Sequence, residues 1–186
     1  GNNNNYQLLY NVTNANVYQR LLHATYTGIN KIYNANTLGQ STYTISGIYA
    51  GDIVDISNIY LSNFNDIYSG YNKPVYISNV TLTGANYYNY AIDPSGYASN
   101  ANITPSLISA TFNIVKTYDK TNIAPINYYT LSGYFDIDIG LLSLSSTIYG
   151  YFRDINANYN VIADISGISL FGPSSIIQNY YINSQA

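Results

Sequence analysis

Ala15-Asn16-Val17-Tyr18-Gln19-Arg20-Leu21-Leu22-His23-Ala24-Thr25-Tyr26 returns farther along the chain as Ala101-Asn102-Ile103-Thr104-Pro105-Ser106-Leu107-Ile108-Ser109-Ala110-Thr111-Phe112. Both copies alternate with the period of a strand. Leu22, Ala24 and Tyr26 share one face, and Ile108, Ala110 and Phe112 share the same face of the second copy. The opposite face carries Gln19 and His23 in the first copy and Ser109 in the second. Apolar on one side and polar on the other is the pattern of an antiparallel sheet with one face in solvent.

Working outward from this strand, the rest of the chain repeats too. Lys31-Ile32-Tyr33-Asn34 returns as Lys116-Thr117-Tyr118-Asp119, and Ser46-Gly47 as Ser132-Gly133. Phe64-Asn65-Asp66 returns as Phe152-Arg153-Asp154, and Asn89-Tyr90-Ala91-Ile92 as Asn179-Tyr180-Tyr181-Ile182. The order is kept at a spacing of about 85–90 residues, which is the signature of an internal repeat. Further strands are expected near 42–46, 53–57, 59–64, 75–83 and 87–92, with counterparts near 127–132, 137–145, 147–152, 161–170 and 177–182. Gly, Asn, Asp and Pro punctuate them, as at Gly39, Ala50-Gly51-Asp52, Ser69-Gly70 and Gly84.

Composition points the same way. The 186 residues contain no Cys, Trp, Met or Glu, but 24 Tyr and abundant Ile, Thr and Val, which suit a pleated, half-buried surface. The expected fold is all-β: two tandem small antiparallel β-sandwich modules of Ig-like type. Residues 1–14 are expected to be the tail of a preceding module or a lead-in strand, 15–93 the first module, 94–100 a linker around Pro94, Ser95 and Gly96, and 101–186 the second. Asn5-Tyr6-Gln7-Leu8 resembles the strand that closes each module at Tyr90 and Tyr180, so Tyr6–Leu8 is expected to be an orphan strand that seeks a neighbouring chain or module.

Only 8% of the residues are charged and the net charge is −3, so no cationic patch for nucleic acid is expected. No apolar run approaches the ~18 residues that a membrane-spanning helix needs, so no membrane insertion is expected. His23, the single histidine, lies on the polar strand face, where the second copy has Ser109, and reads as a surface residue, not a triad or zinc member. The carboxylates are all Asp, and Asp52, Asp66, Asp119 and Asp154 read as turn formers in preference to calcium ligands. No catalytic, cofactor-binding or metal residue is assigned, and no cofactor. The clustered Tyr87, Tyr88 and Tyr90, Tyr128 and Tyr129, and Tyr180 and Tyr181 are read as alternately filling a thin core and covering an outer face, with lateral packing between filaments the sharper reading.

These landmarks resemble the YDG (MBG-like) tandem repeats of large extracellular surface adhesins such as filamentous-haemagglutinin-like proteins. Those repeats open with Thr-x-Lys-x-Tyr-Asp-Gly-Thr-Thr. Lys116-Thr117-Tyr118-Asp119-Lys120-Thr121 keeps that opening with Lys120 in the Gly position, and Lys31 to Thr37 keeps less of it. Ser46-Gly47-Ile48-Tyr49-Ala50-Gly51-Asp52 matches the next turn, which the second copy replaces with Phe135-Asp136-Ile137-Asp138. The resemblance implies a non-catalytic stalk or adhesin module on an extracellular or cell surface, and a composition unlike most bacterial examples keeps a virion surface fibre or an assembled filament open; the expected partners are neighbouring copies or modules of the same protein. The alternative reading is an adhesin module that binds a surface glycan or protein through exposed Tyr and Asn.

Overall fold

The computed structural model describes residues 13–57, 61–93 and 98–183. They form short strands almost throughout, as the composition requires. The long strand β1 (Arg20–Ile29) sits at the centre of a three-stranded sheet. On one side it pairs antiparallel with β3 (Gln40–Ser46), from His23↔Ser46 to Ile29↔Gln40. On the other it pairs parallel with β8 (Tyr90–Ile92), starting at Arg20↔Tyr90. The second half repeats this sheet: β10 (Ser106–Asn113) lies between β11 (Tyr128–Ser132) and β16 (Tyr180–Ile182), antiparallel to the first and parallel to the second. The purely antiparallel expectation is therefore corrected, because the closing strand of each module joins its sheet parallel to the opening one.

The alternation read from the sequence places the core. Leu22, Ala24 and Tyr26 are buried, as is Ile108, while Gln19, His23 and Ser109 are exposed. Side chains repeat in detail as well. Thr25 and Thr44 share a 2.6 Å hydroxyl contact across the first sheet, and Thr111 and Thr130 share one of 2.5 Å across the second. Tyr26 tilts against Tyr43 at 6.5 Å between ring centres, and Phe112 against Tyr129 at 6.4 Å.

Two smaller pairings also recur. β4 (Asp55–Ile56) meets β7 (Leu82–Thr83), as β12 (Ser143–Leu144) meets β15 (Leu170–Phe171). β5 (Leu61–Phe64) meets β6 (Gly70–Ser78), as β13 (Tyr149–Phe152) meets β14 (Ala163–Ser166). The stretch 75–83, expected as one strand, breaks at Asn79, whose φ of 56° turns the chain out of the pleat. Part of 87–92 is a 3-10 turn, Tyr87–Asn89, and part of its counterpart is the short helix α1 (Ser174–Ile177). A further 3-10 turn, Asp136–Asp138, replaces the start of the strand expected at 137–145.

The largest departure concerns the expected linker at 94–100. Residues 98–100 belong to β9 (Ala98–Thr104), which completes the four-stranded sheet β2-β9-β6-β5, where β2 is Lys31–Ile32. β9 runs antiparallel to β6, with Val75↔Ser99 and Lys73↔Ala101, and parallel to β2, with Lys31↔Ile103. Its alternating apolar residues explain the pairing: Ala101 and Ile103 are 5% and 1% exposed within the first module's core. The expected orphan strand Tyr6–Leu8 lies outside the described residues.

Candidate functional site

The chemistry-bearing side chains of this chain converge at the junction between its two halves. Tyr33 follows β2 and is 1% exposed, because its ring is packed into the second half. It stands edge-on to Phe135 at 5.6 Å and to Tyr180 at 5.3 Å between ring centres. Its hydroxyl donates to Asp138 Oδ2 at 3.0 Å, and the Tyr180 hydroxyl donates to the same oxygen at 2.6 Å. The Phe135 N–H donates to the Tyr180 hydroxyl at 3.0 Å. Asp138 is 2% exposed, so these phenols supply the hydrogen bonds that a carboxyl group needs away from water.

The same environment sets the phenol chemistry. Burial, reinforced by the hydrogen bond to Asp138, pushes the Tyr180 hydroxyl up to about 12. Burial followed by the Asp138 hydrogen bond drives Tyr33 up as well. Both side chains are held protonated at neutral pH and act as hydrogen-bond donors to Asp138.

Two further contacts close the junction. Asn179, fully buried, accepts from the Ser69 N–H at 2.8 Å, and the Ser69 hydroxyl donates to the Gln178 carbonyl. The chain then crosses from one half to the other: β9 serves the four-stranded sheet of the first half, and Ser106, two residues on, opens β10 of the second half. The core follows this path, since Ile108 and Tyr180 of the second half belong to the same apolar cluster as Tyr33, Phe64, Val75, Ala101 and Ile103.

The residues singled out by sequence are placed as follows. His23 is exposed on β1 with Nδ1 3.2 Å from Asp93 Oδ2. Asp66, Asp119 and Asp154 each accept a backbone N–H two residues on, from Tyr68, Thr121 and Asn156 at 2.9, 2.9 and 3.0 Å, as turn-forming Asp does. Asp52 differs: its Oδ2 accepts from the Tyr90 hydroxyl at 2.5 Å, while the Tyr49 N–H donates to that hydroxyl at 3.1 Å. This is the Asp138–Tyr180–Phe135 arrangement again, in the first half. Sequence reasoning missed the equivalence, although Asp52 and Asp138 stand at the same distance after Ser46-Gly47 and Ser132-Gly133. Tyr180 is buried beside exposed Tyr181, and Tyr128 is exposed beside half-buried Tyr129, whereas Tyr87 and Tyr88 are both exposed. Among the described residues no three His, Cys, Asp or Glu come together as a metal site.

The Tyr-Asp-Gly opening also has a local structure. Lys31 Nζ donates to the carbonyls of Asn36 and Leu38 at 2.7 and 2.8 Å, and Lys116 Nζ to those of Thr121 and Ile123 at 2.8 and 2.9 Å. Each lysine thereby closes the loop that presents Tyr33 or Tyr118. The loop residue in the Gly position is left-handed in both copies: Ala35 has φ 60° and Lys120 has φ 65°.

Residues 18–101 match the family model described as the YDG domain, which supports a YDG-family assignment for that stretch. The matched unit runs past the module end expected at 93 and into β9, in keeping with the strand that the first sheet takes from there. No curated protein and no solved structure matches the chain.

Proposed function

We propose that this YDG-matching chain is a non-catalytic structural repeat of an extracellular or virion surface fibre, filament or adhesin stalk, in which modules stack and share strands. The observation that carries the reading is the interlocked junction: Tyr33 of one module is buried on Asp138 and Tyr180 of the next, and β9 leads from one directly into the other. A module joined by a flexible linker transmits little orientation to its neighbour. One joined by a shared strand and a buried knob holds its neighbour at a fixed angle, which is what sets reach in a stalk. Small-angle scattering tests this. A profile that fits one fixed arrangement of the two modules is expected, and Tyr33→Ala is expected to broaden it. A parent profile that requires a freely jointed pair would sink the reading.

A second reading has a specific observation behind it. Tyr87 and Tyr88 are 51% and 61% exposed and stand edge-on at 6.2 Å, a rigid amphipathic surface suited to a glycan ring or a protein. A glycan array separates the two: saturable binding that is lost in Tyr88→Ala favours the adhesin module, and a blank array favours the stalk.

A further inference from the structure

Most components of the internal junction occur twice, buried at one occurrence and exposed at the other; Tyr90, the counterpart of Tyr180, is the exception and is 3% exposed in the first half's own core. Ala101 and Ile103 are 5% and 1% exposed in β9, whereas their sequence counterparts Ala15 and Val17 are exposed, Val17 at 98%. Tyr33 is buried in its socket, whereas Tyr118 is 53% exposed. Asn179 is fully buried against Ser69, whereas Asn89 is exposed. Asp138 is buried under two phenols, whereas Asp52 is half-buried and receives only the Tyr90 phenol among the described tyrosines.

The sheets differ in the same sense. β6 has a neighbour on each side, β5 and β9, but among the described residues β14 pairs only with β13. Where β9 would lie in the second half there is instead an open slot of about 500 Å³, lined among others by Lys116, Tyr118, Phe152, Tyr159, Asn160 and Val161. These surround the position that β9 takes between β2 and β6 in the first half. The slot also carries the matching polar contact. In the first half Asn72, with φ 53°, donates its N–H to Asn102 Oδ1 at 2.8 Å. Asn160, with φ 55°, occupies the same turn of the second half, and Asn16 is the counterpart of Asn102. One difference is Ile114 on the slot floor, where the first half has Gly28 against Ala101. A Cβ at Gly28 would already stand 3.0 Å from Ala101 Cβ and 3.1 Å from the Asn100 carbonyl, so a strand added over Ile114 sits farther out than β9 does.

We propose that the slot beside β14 takes Thr13–Tyr18 of a second copy of this chain as an added strand, while Tyr118 docks against the half-buried Asp52 of that second copy. This rests on the structural-repeat reading and names its contact surfaces. An open strand edge and an exposed segment that carries Ala15 and Val17 at alternate positions are mutual templates. The two surfaces lie on opposite halves, so the contact is head-to-tail and does not close on itself, which yields an open filament. The internal junction fixes the register. Val75↔Ser99 and Pro74↔Asn100 in the first half translate to Ala163↔Thr13 and Ile162↔Asn14 between copies.

Thiol cross-linking tests it directly, because the chain has no cysteine. Asn14 and Ile162 are both exposed, so neither change disturbs a core. Asn14→Cys chains mixed with Ile162→Cys chains and a short bis-maleimide are expected to give heterodimer at least about tenfold above a mixture with Phe171→Cys, a residue equally exposed elsewhere. Adding Tyr118→Ala to the Ile162→Cys chain is expected to return the yield to that control while its melting temperature stays unchanged. A yield no higher than the control, or one that Tyr118→Ala leaves intact, overturns the proposal. Either failure leaves the fixed two-module geometry to be decided separately by the scattering of the uncross-linked chain.

Discussion

At the scale of single residues, two positions hold energy against the backbone. Ala35 and Lys120 sit at φ 60° and 65°, where an L-residue crowds its own carbonyl at a cost of ~1–2 kcal/mol, part of which glycine's greater chain entropy offsets. Lys120→Gly is therefore expected to stabilise the chain by about 0.5–1 kcal/mol in urea titration. A loss of stability would show that the Lys120 side chain contributes more than its backbone costs. Asp138 is the opposite case. Asp138→Ala leaves the buried Tyr33 and Tyr180 hydroxyls without their acceptor and is expected to cost about 2–4 kcal/mol. The pH dependence follows from the same pair. Both phenols must stay protonated to donate, and burial raises Tyr180 from 10.0 to about 12. The Tyr180 contribution is full below pH 10 and is lost as pH rises through about 12, and Tyr33, also raised by burial, loses its own in the same direction. Unfolding midpoints that stay flat across that window would contradict the assignment of these phenols as buried donors.

At the scale of elements, β9 and its counterpart make a contrast within one chain. Ile103 fills the first core at 1% exposure, so Ile103→Ala is expected to cost about 2–4 kcal/mol. Val17 has the same place in the repeat but is 98% exposed, so Val17→Ala is expected to leave a dilute sample unchanged. Equal costs at the two positions would mean that residues 13–18 are already packed in the monomer. The alternating face of β1 and β10 was legible because each half-buried strand shows its inner residues at every second position. β9 was not, because its buried apolar residues are only Ala101 and Ile103, and Pro94-Ser95-Gly96 before the strand reads as punctuation.

At the scale of the whole molecule, β9 and the buried Tyr33 run one apolar cluster across the junction, between a smaller cluster in each half. A single calorimetric transition, with calorimetric and van't Hoff enthalpies equal, is expected for the chain. Tyr33→Ala is expected to split it into two. Two transitions in the parent would show that the junction does not couple the halves.

The sequence by itself determined the class and the repeat. Alternation, β-branched and aromatic residues and the paired Ser-Gly turns act locally, and local physics is written residue by residue. The same holds for the lysine-closed loop at Tyr33 and Tyr118. Only the tertiary structure decided which sheet β9 joins, that the closing strands run parallel to the opening ones, and that Tyr33 is a buried knob while Tyr118 is an exposed one. Those outcomes depend on which surface comes to lie opposite, not on the residue itself. Two nearly identical segments can then differ completely in burial, because one has found its neighbour within the chain and the other has not.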